Sequence, residues 1–288
     1  MVKQQITERL PLNDGYTIPI IGFGTSGIAN RDAEEVVFNA IMKGYRLIDT
    51  AKIYDNEEGV GRGIQKAINA GISRNELFIV SKVWKSDMGF EQATEAFNET
   101  YERLGLDYVD LYLIHWPSSE EGVNLATWRA LEEIQASGRV NSIGVSNFNR
   151  GELAEIIKEG KVRPAVNQIP VNPDNMNADL DAYNDQNNIV TMGYSPLGAG
   201  KVNADKKLAG IGNKHDKTSA QIALKWCLER GVVPIPKTSH DERMIENLDL
   251  FDFSLTDEEI DIINNIDKKT NTRKPSDKNQ NKRHGSRR

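Results

Sequence analysis

Leu111-Tyr112-Leu113-Ile114-His115 is a short apolar run that stops on a polar or ionisable side chain, and the chain repeats that figure six more times. The others are Leu47-Ile48-Asp49, Phe78-Ile79-Val80-Ser81-Lys82, Ile143-Gly144-Val145-Ser146-Asn147, Ala165-Val166-Asn167-Gln168, residues 189–194 ending on Tyr194, and residues 232–237 ending on Lys237. Parallel strands covered on both faces read as continuous Val/Ile/Leu runs, and in a (β/α)8 barrel the chemistry gathers at their carboxyl ends. The last residue of each run is therefore where function is to be sought.

Helical patterns alternate with these runs at 32–42, 57–69, 90–104, 125–136, 151–158, 179–186, 219–230 and 241–248. Gly44, Gly71, Gly105, Gly138, Gly160 and Gly231 fall just past six of them, as left-handed caps do. With a first strand at 18–22 and a short N-terminal hairpin, the alternation predicts an α/β fold, a (β/α)8 TIM barrel occupying residues 1–267 as one domain. A competing signal sits early in the chain. Gly22-Phe23-Gly24-Thr25-Ser26-Gly27 matches G-x-G-x-x-G, and Asp49 follows its last glycine by 22 positions, which on paper is a Rossmann fingerprint. Against it, Ala29-Asn30-Arg31-Asp32 reads as a turn and cap before the helix, and eight units exceed the usual six strands of a doubly wound sheet.

The 288 residues, 38% apolar and 27% charged, are ordinary for a soluble globular protein. No N-terminal stretch reads as a signal peptide and none approaches a membrane span, so a cytoplasmic location is expected. The single cysteine, Cys227, excludes an intramolecular disulfide, and its apolar helical surroundings mark it as a buried structural thiol. His115, His215, His240 and His284 are scattered and form no metal-binding pattern; no metal is expected. From Lys268 to Arg288 five Lys and four Arg face one acid, a net +8, which leaves −14 of the chain's −6 on the remainder. This basic 268–288 tail, poor in apolar residues, is expected to be disordered. The ordinary reading is a solvated tail; the alternative is an arm for nucleic acid or an anionic membrane.

Convergence of the strand ends brings Asp49, Lys82 and His115 together, with Tyr54 five residues past Asp49. A phenol ionises near pH 10; an adjacent ammonium lowers that value, and a carboxylate keeps the lysine charged and in place. A neutral His115 can donate to a substrate carbonyl oxygen. Singly, each residue has an ordinary structural explanation, as ion-pair partner, solvated strand end, core histidine or packing. Four at successive strand ends outweigh it.

Residues 44–51 with Tyr54, Ser81-Lys82-Val83-Trp84, residues 110–117, Gly144-Val145-Ser146-Asn147-Phe148, and Ile235-Pro236-Lys237-Thr238 followed by Arg243, Glu246 and Asn247 together resemble the aldo-keto reductases. The short-looped bacterial members, such as diketogluconate and methylglyoxal reductases, are the most similar in kind. The resemblance, running from about Leu10 to Asp267, implies a barrel that reduces carbonyl compounds with NADPH, and a monomer. It implies a catalytic tetrad of Asp49, Tyr54, Lys82 and His115 with Tyr54 as proton donor. Ser146, Asn147 and Gln168 would bind the nicotinamide carboxamide, and Tyr194 would stack on the ring. Gly24 and Thr25 would approach substrate and cofactor, the backbone around Ser195 and Leu197 would follow the pyrophosphate, and Lys237, Thr238, Arg243, Glu246 and Asn247 would hold the adenylate end. Independently, two cations and a hydroxyl at a strand-to-helix junction suit a 2′-phosphate.

The departures from the family pattern concern substrate. Pro170 and Asn172 stand where a Glu and a His are usual, and Pro170, lacking an N–H, should end strand pairing. Ser26 replaces a frequent Trp, so one aromatic wall is missing, and Ile53, Trp84 and Trp116 remain as candidate lining. The family's closing C-terminal loop gives way to the hydrophilic tail. A pocket open to small aldehydes is expected, with no partner beyond the small-molecule carbonyl substrate and neither nucleic acid nor membrane. Two other classes share the fold: a regulatory subunit that binds NADP without turnover, and a Schiff-base aldolase using Lys82.

Overall fold

Side chains alternate across every strand, and this alternation separates packing from chemistry. The computed structural model describes residues 5–266. Its strands are β1 (Arg9–Pro11), β2 (Thr17–Pro19), β3 (Gly22–Gly24), β4 (Leu47–Asp49), β5 (Phe78–Val83), β6 (Val109–Ile114), β7 (Val140–Ser146), β8 (Val166–Pro170), β9 (Val190–Tyr194) and β10 (Val233–Pro234). β1 and β2 form an antiparallel hairpin, and β3 to β10 form one eight-stranded parallel sheet in chain order. The Gly24 N–H donates to Pro236 C=O at 3.0 Å and so draws the two outer strands together into a nearly closed barrel. The approach is close enough that a side chain on Gly22 would run into Leu47 and Ile235.

Leu47, Phe78, Val80, Leu111, Leu113, Val166, Met192, Val233 and Ile235 fill the barrel interior, and Leu12 and Ile18 from the hairpin plug its lower end. The alternate residues, among them Ile48, Ile79, Tyr112, Ile114, Ile143 and Val145, point outward into the layer packed by the helices. Two residues above the interior filler, the same inward face delivers Asp49 after Leu47, Lys82 after Val80, and Gln168 after Val166. Buried apolar contact thus fixes the register, and register fixes the chemistry.

The helices are α1 (Asn30–Met42), α2 (Glu57–Asn69), α3 (Phe90–Leu104), α4 (Val123–Ala136), α5 (Arg150–Glu159), α6 (Ala178–Gln186), α7 (Lys206–His215), α8 (Ser219–Glu229), α9 (Asp241–Glu246) and α10 (Asp257–Asn264). Several expectations need correction. The first strand expected at 18–22 is divided between the hairpin and β3, because Ile18 serves the plug while Gly22 enters the sheet. The strand expected at 232–237 is regular only over Val233–Pro234, although the Ile235 N–H still reaches Gly193 C=O at 3.0 Å. α7 and α10 were not anticipated. Gly160 is no left-handed cap, since its φ is −79°; a Cβ there would come within 2.7 Å of Trp128 Nε1, so close packing is its reason. The other five glycines do take positive φ. β8 ends on Pro170 as expected, although the Val171 N–H still reaches Tyr194 C=O at 3.2 Å. The glycine-rich stretch is no Rossmann turn: Gly27 is left-handed at φ 74° and α1 opens only at Asn30. Cys227 is buried, its thiol pushed up to about 12 by burial. The 268–288 tail lies outside the described residues. Among these no helix is long and apolar enough to cross a membrane, and no cluster of His, Cys, Asp and Glu could hold a metal ion.

Candidate active site

At the carboxyl ends of the strands a cavity of about 740 Å³ opens, and Asp49, Tyr54, His115, Gln168 and Tyr194 all border it. Lys82 stands just behind, fully buried, with Nζ 2.8 Å from Asp49 Oδ1 and 2.8 Å from Thr50 C=O. Its Nζ lies 5.0 Å from the centre of the Tyr54 ring, and Lys82 and Ser26 both act to lower the phenol pKa. Burial alone would favour the neutral amine, but Asp49 and Tyr54 outweigh it and hold the Lys82 pKa above its ordinary value. Burial also dominates at Tyr54, raising the phenol pKa despite the opposing pull of Lys82. That corrects the expectation of a lowered value: desolvation of the phenolate exceeds the attraction of one ammonium that Asp49 already neutralises.

His115 packs edge-on against Tyr54, ring centres 5.7 Å apart, and against Trp84 at 5.1 Å. Burial first, then Lys82 and Lys85, depress its pKa to about 3, so the imidazole is neutral. Its Nδ1 is buried without a partner. A proton there would be an unsatisfied donor, so the tautomer with hydrogen on Nε2, the nitrogen available to the cavity, is the one assigned.

The next wall is built of amides whose donors are already spent. Gln168 Nε2 donates to Asp49 Oδ2 at 2.8 Å and contacts Met192 Sδ at 3.3 Å. Asn147 Nδ2 donates to His115 C=O at 3.0 Å and to Ser146 Oγ at 3.1 Å, while its Oδ1 accepts from the Tyr194 hydroxyl at 2.9 Å. Ser146 Oγ donates to Gln168 C=O at 2.9 Å. Asn147 takes a left-handed φ of 62°, a conformation asparagine tolerates better than most residues. What this wall offers a ligand is lone pairs.

The cavity runs on past Ser195, Leu197 and Gly200, where the chain turns through left-handed residues, to Lys237, Thr238, Arg243, Glu246 and Asn247. Lys237 and Arg243 are exposed, and neither is in an ion pair among the described residues. Glu246 accepts from Thr218 Oγ1 at 2.7 Å, Asn247 is buried, and the Tyr45 hydroxyl donates to Met244 C=O at 3.2 Å. Gly24 lines the cavity; Thr25 does not, its Oγ1 and N–H both donating to Asp49 C=O. Of the expected substrate-side residues, Ser26 and Trp116 border the cavity, whereas Ile53 and Trp84 do not.

One residue escaped sequence reasoning. Asn56, nearly fully buried, accepts from Thr50 Oγ1 at 2.8 Å and donates to the carbonyls of Thr25 and Ile28 at 2.9 Å each. It ties together the loop after β3, the end of β4 and the turn carrying Tyr54. The only available signal was an amide at the mouth of a helix two residues past that tyrosine.

Barrel and cleft together define a class: enzymes whose buried ionisable residues share the upper rim of a parallel barrel with an elongated, cation-ended groove. The model of the aldo/keto reductase family matches residues 20–268, and the chain belongs to that family of oxidoreductases. The glyoxal reductase of Bacillus subtilis is 43% identical over 264 residues, covering 91% of this chain and 94% of that protein. Among solved structures, an aldo/keto reductase from Brucella melitensis superposes with a TM-score of 0.88 at 43% identity, over 93% of this chain and 100% of the other. The Bombyx mori aldo-keto reductase in complex with NADP gives 0.86 at 38% identity, over 91% and 93%.

Proposed function

We propose that this enzyme reduces small aldehydes and ketones with NADPH, Tyr54 protonating the carbonyl oxygen. The observation that carries the reading is the Asp49–Lys82–Tyr54 arrangement facing neutral His115 across the cavity floor. When bound, NADPH supplies hydride to the carbonyl carbon. Tyr54 gives its proton to the oxygen as negative charge develops there, and buried Lys82 lowers the energy of the phenolate left behind. Asp49 keeps Lys82 charged, and His115 orients the carbonyl by an Nε2–H hydrogen bond.

The residues suit the cofactor. Ser146, Asn147 and Gln168 present acceptors where a carboxamide NH2 needs them, and Tyr194 borders the same space. Lys237, Thr238 and Arg243 place two cations and a hydroxyl where a 2′-phosphate favours NADPH over NADH. Ser26 at the mouth, in place of a bulky aromatic, favours broad acceptance of small aldehydes. The single, buried Cys227 suits a reducing cytoplasm.

Tyr54→Phe tests the reading. With methylglyoxal or a nitrobenzaldehyde followed by NADPH absorbance, it should lose turnover by at least about a hundredfold. NADPH affinity, read from tryptophan fluorescence, should be preserved. Loss of both together would mean that the proton donor has been misassigned.

A further inference from the structure

Gln168 on β8 reaches across the barrel to Asp49 on β4, 119 residues away in sequence. A carboxylate can only accept, so the contact fixes the sense of the amide: nitrogen toward Asp49, carbonyl oxygen away from it. With Met192 Sδ beside the same nitrogen, Oε1 is the free end, and Gln168 borders the cavity. Asp49 meanwhile divides its oxygens, Oδ1 to Lys82 and Oδ2 to Gln168. The other titratable groups facing this pair are Tyr54, His115 and Tyr194. Met192, Val80 and Leu113 close the space below.

We infer that Gln168 is a positioning residue for the proton donor, holding Asp49 with one end of its amide while the other end receives the ligand's carboxamide. This deepens the reductase reading and rests on it. Asp49 deprived of that N–H is free to turn both oxygens to Lys82, which shifts the ammonium relative to Tyr54. A donor arriving at Oε1 polarises the amide and strengthens its N–H on Asp49, so occupancy at the nicotinamide end is felt by the tetrad. In a residue whose only contact was the cofactor, an acidic replacement would ionise as an ordinary glutamate, uncoupled from Asp49.

Two variants separate these cases. Gln168→Leu, assayed at saturating NADPH, should lower kcat about tenfold or more, the size expected for one hydrogen bond to a charged group. A kcat within about twofold of wild type, with only the NADP+ Kd raised, overturns the inference. Gln168→Glu keeps the shape and sets a second carboxyl against Asp49, where two such groups share a proton. Its NADP+ affinity, measured by fluorescence quenching without turnover, should rise with pH, the new carboxylate attracting the cationic nicotinamide ring, through an ionisation absent from wild type and displaced above the usual carboxylate range by Asp49. Parallel pH profiles in the two proteins also overturn the inference. Should wild type bind NADP+ yet reduce no carbonyl, the reductase reading fails, and the binding profile of Gln168→Glu alone decides the coupling.

Discussion

The two ends of the cleft are built on opposite principles. At the floor, Lys82 is fully buried, both oxygens of Asp49 are occupied, and Asn147, Ser146 and Gln168 bond chiefly to one another and to the backbone. At the far end, Lys237 and Arg243 are exposed and carry no ion pair among the described residues. The floor is assembled by folding itself, and its geometry is set before any ligand arrives. The far end is left to the ligand, where charge in water acts weakly, reversibly and subject to salt. Substitutions at the floor should therefore disturb stability and chemistry together, and those at the far end affinity alone.

Lys82→Met is the strongest trial of that contrast. It strands the Asp49 carboxylate in the barrel with only the Gln168 N–H for company, a loss of about 3–5 kcal/mol for a broken buried pair. Thermal unfolding should shift down by roughly 10 °C and turnover should vanish. An unchanged melting temperature would show that the floor is less dependent on its charges than its burial implies. Lys237→Ala combined with Arg243→Ala is the counterpart. Unfolding should be unaffected, while the Kd for NADPH rises about a hundredfold and that for NADH hardly moves, each cation–phosphate contact accounting for about tenfold. Raising the ionic strength should erode the wild-type preference in the same direction. Unaltered discrimination in the double variant would break the assignment of this end.

Much of this was legible because parallel strands announce themselves twice, as apolar runs and as the polar residue that ends each run. Asp49, Lys82, His115, Gln168 and Tyr194 were all readable from that figure, and the bounds of α2 and α3 fell where the periodicity and the following glycines put them. α7 and α10, of ten and eight residues, were missed because they stand outside the strand-plus-helix alternation, α7 preceding α8 with no strand between them and α10 trailing the last unit. The first strand was misplaced because Ile18 and Ile20–Ile21 form one apolar stretch to the eye, although the hairpin claims its beginning. Harder still were features that depend on which way a side chain turns. The Gln168–Asp49 bond, the spent donors of Asn147 and the displacement of Ile53 and Trp84 from the cavity wall arise from cross-barrel distances and rotamers. The direction of the Tyr54 shift was misjudged for a related reason: a neighbouring ammonium is visible in the sequence, and the depth of burial is not.

The smallest of the expected effects probes the floor without removing any of its charges. His115 titrates near 6.5 in the unfolded chain but only at about 3 in the folded protein. Between these values the unfolded chain takes up a proton that the native imidazole refuses. Stability contributed by the neutral imidazole is thus complete above pH 6.5 and lost progressively as the pH falls toward 3, by about 2 kcal/mol between pH 7 and pH 5. Urea midpoints at pH 7, 6 and 5 should drop more steeply for wild type than for His115→Gln, and the difference between the two isolates this one imidazole. The same neutrality has a kinetic consequence, since an imidazole already uncharged at pH 6 cannot impose an acid limb near 6.5 on kcat/KM. If such a limb is present in wild type and absent from the variant, the imidazole takes up a proton near its ordinary value. The floor would then hold a mobile charge, and the contrast between its fixed geometry and the responsive far end would fail at its centre.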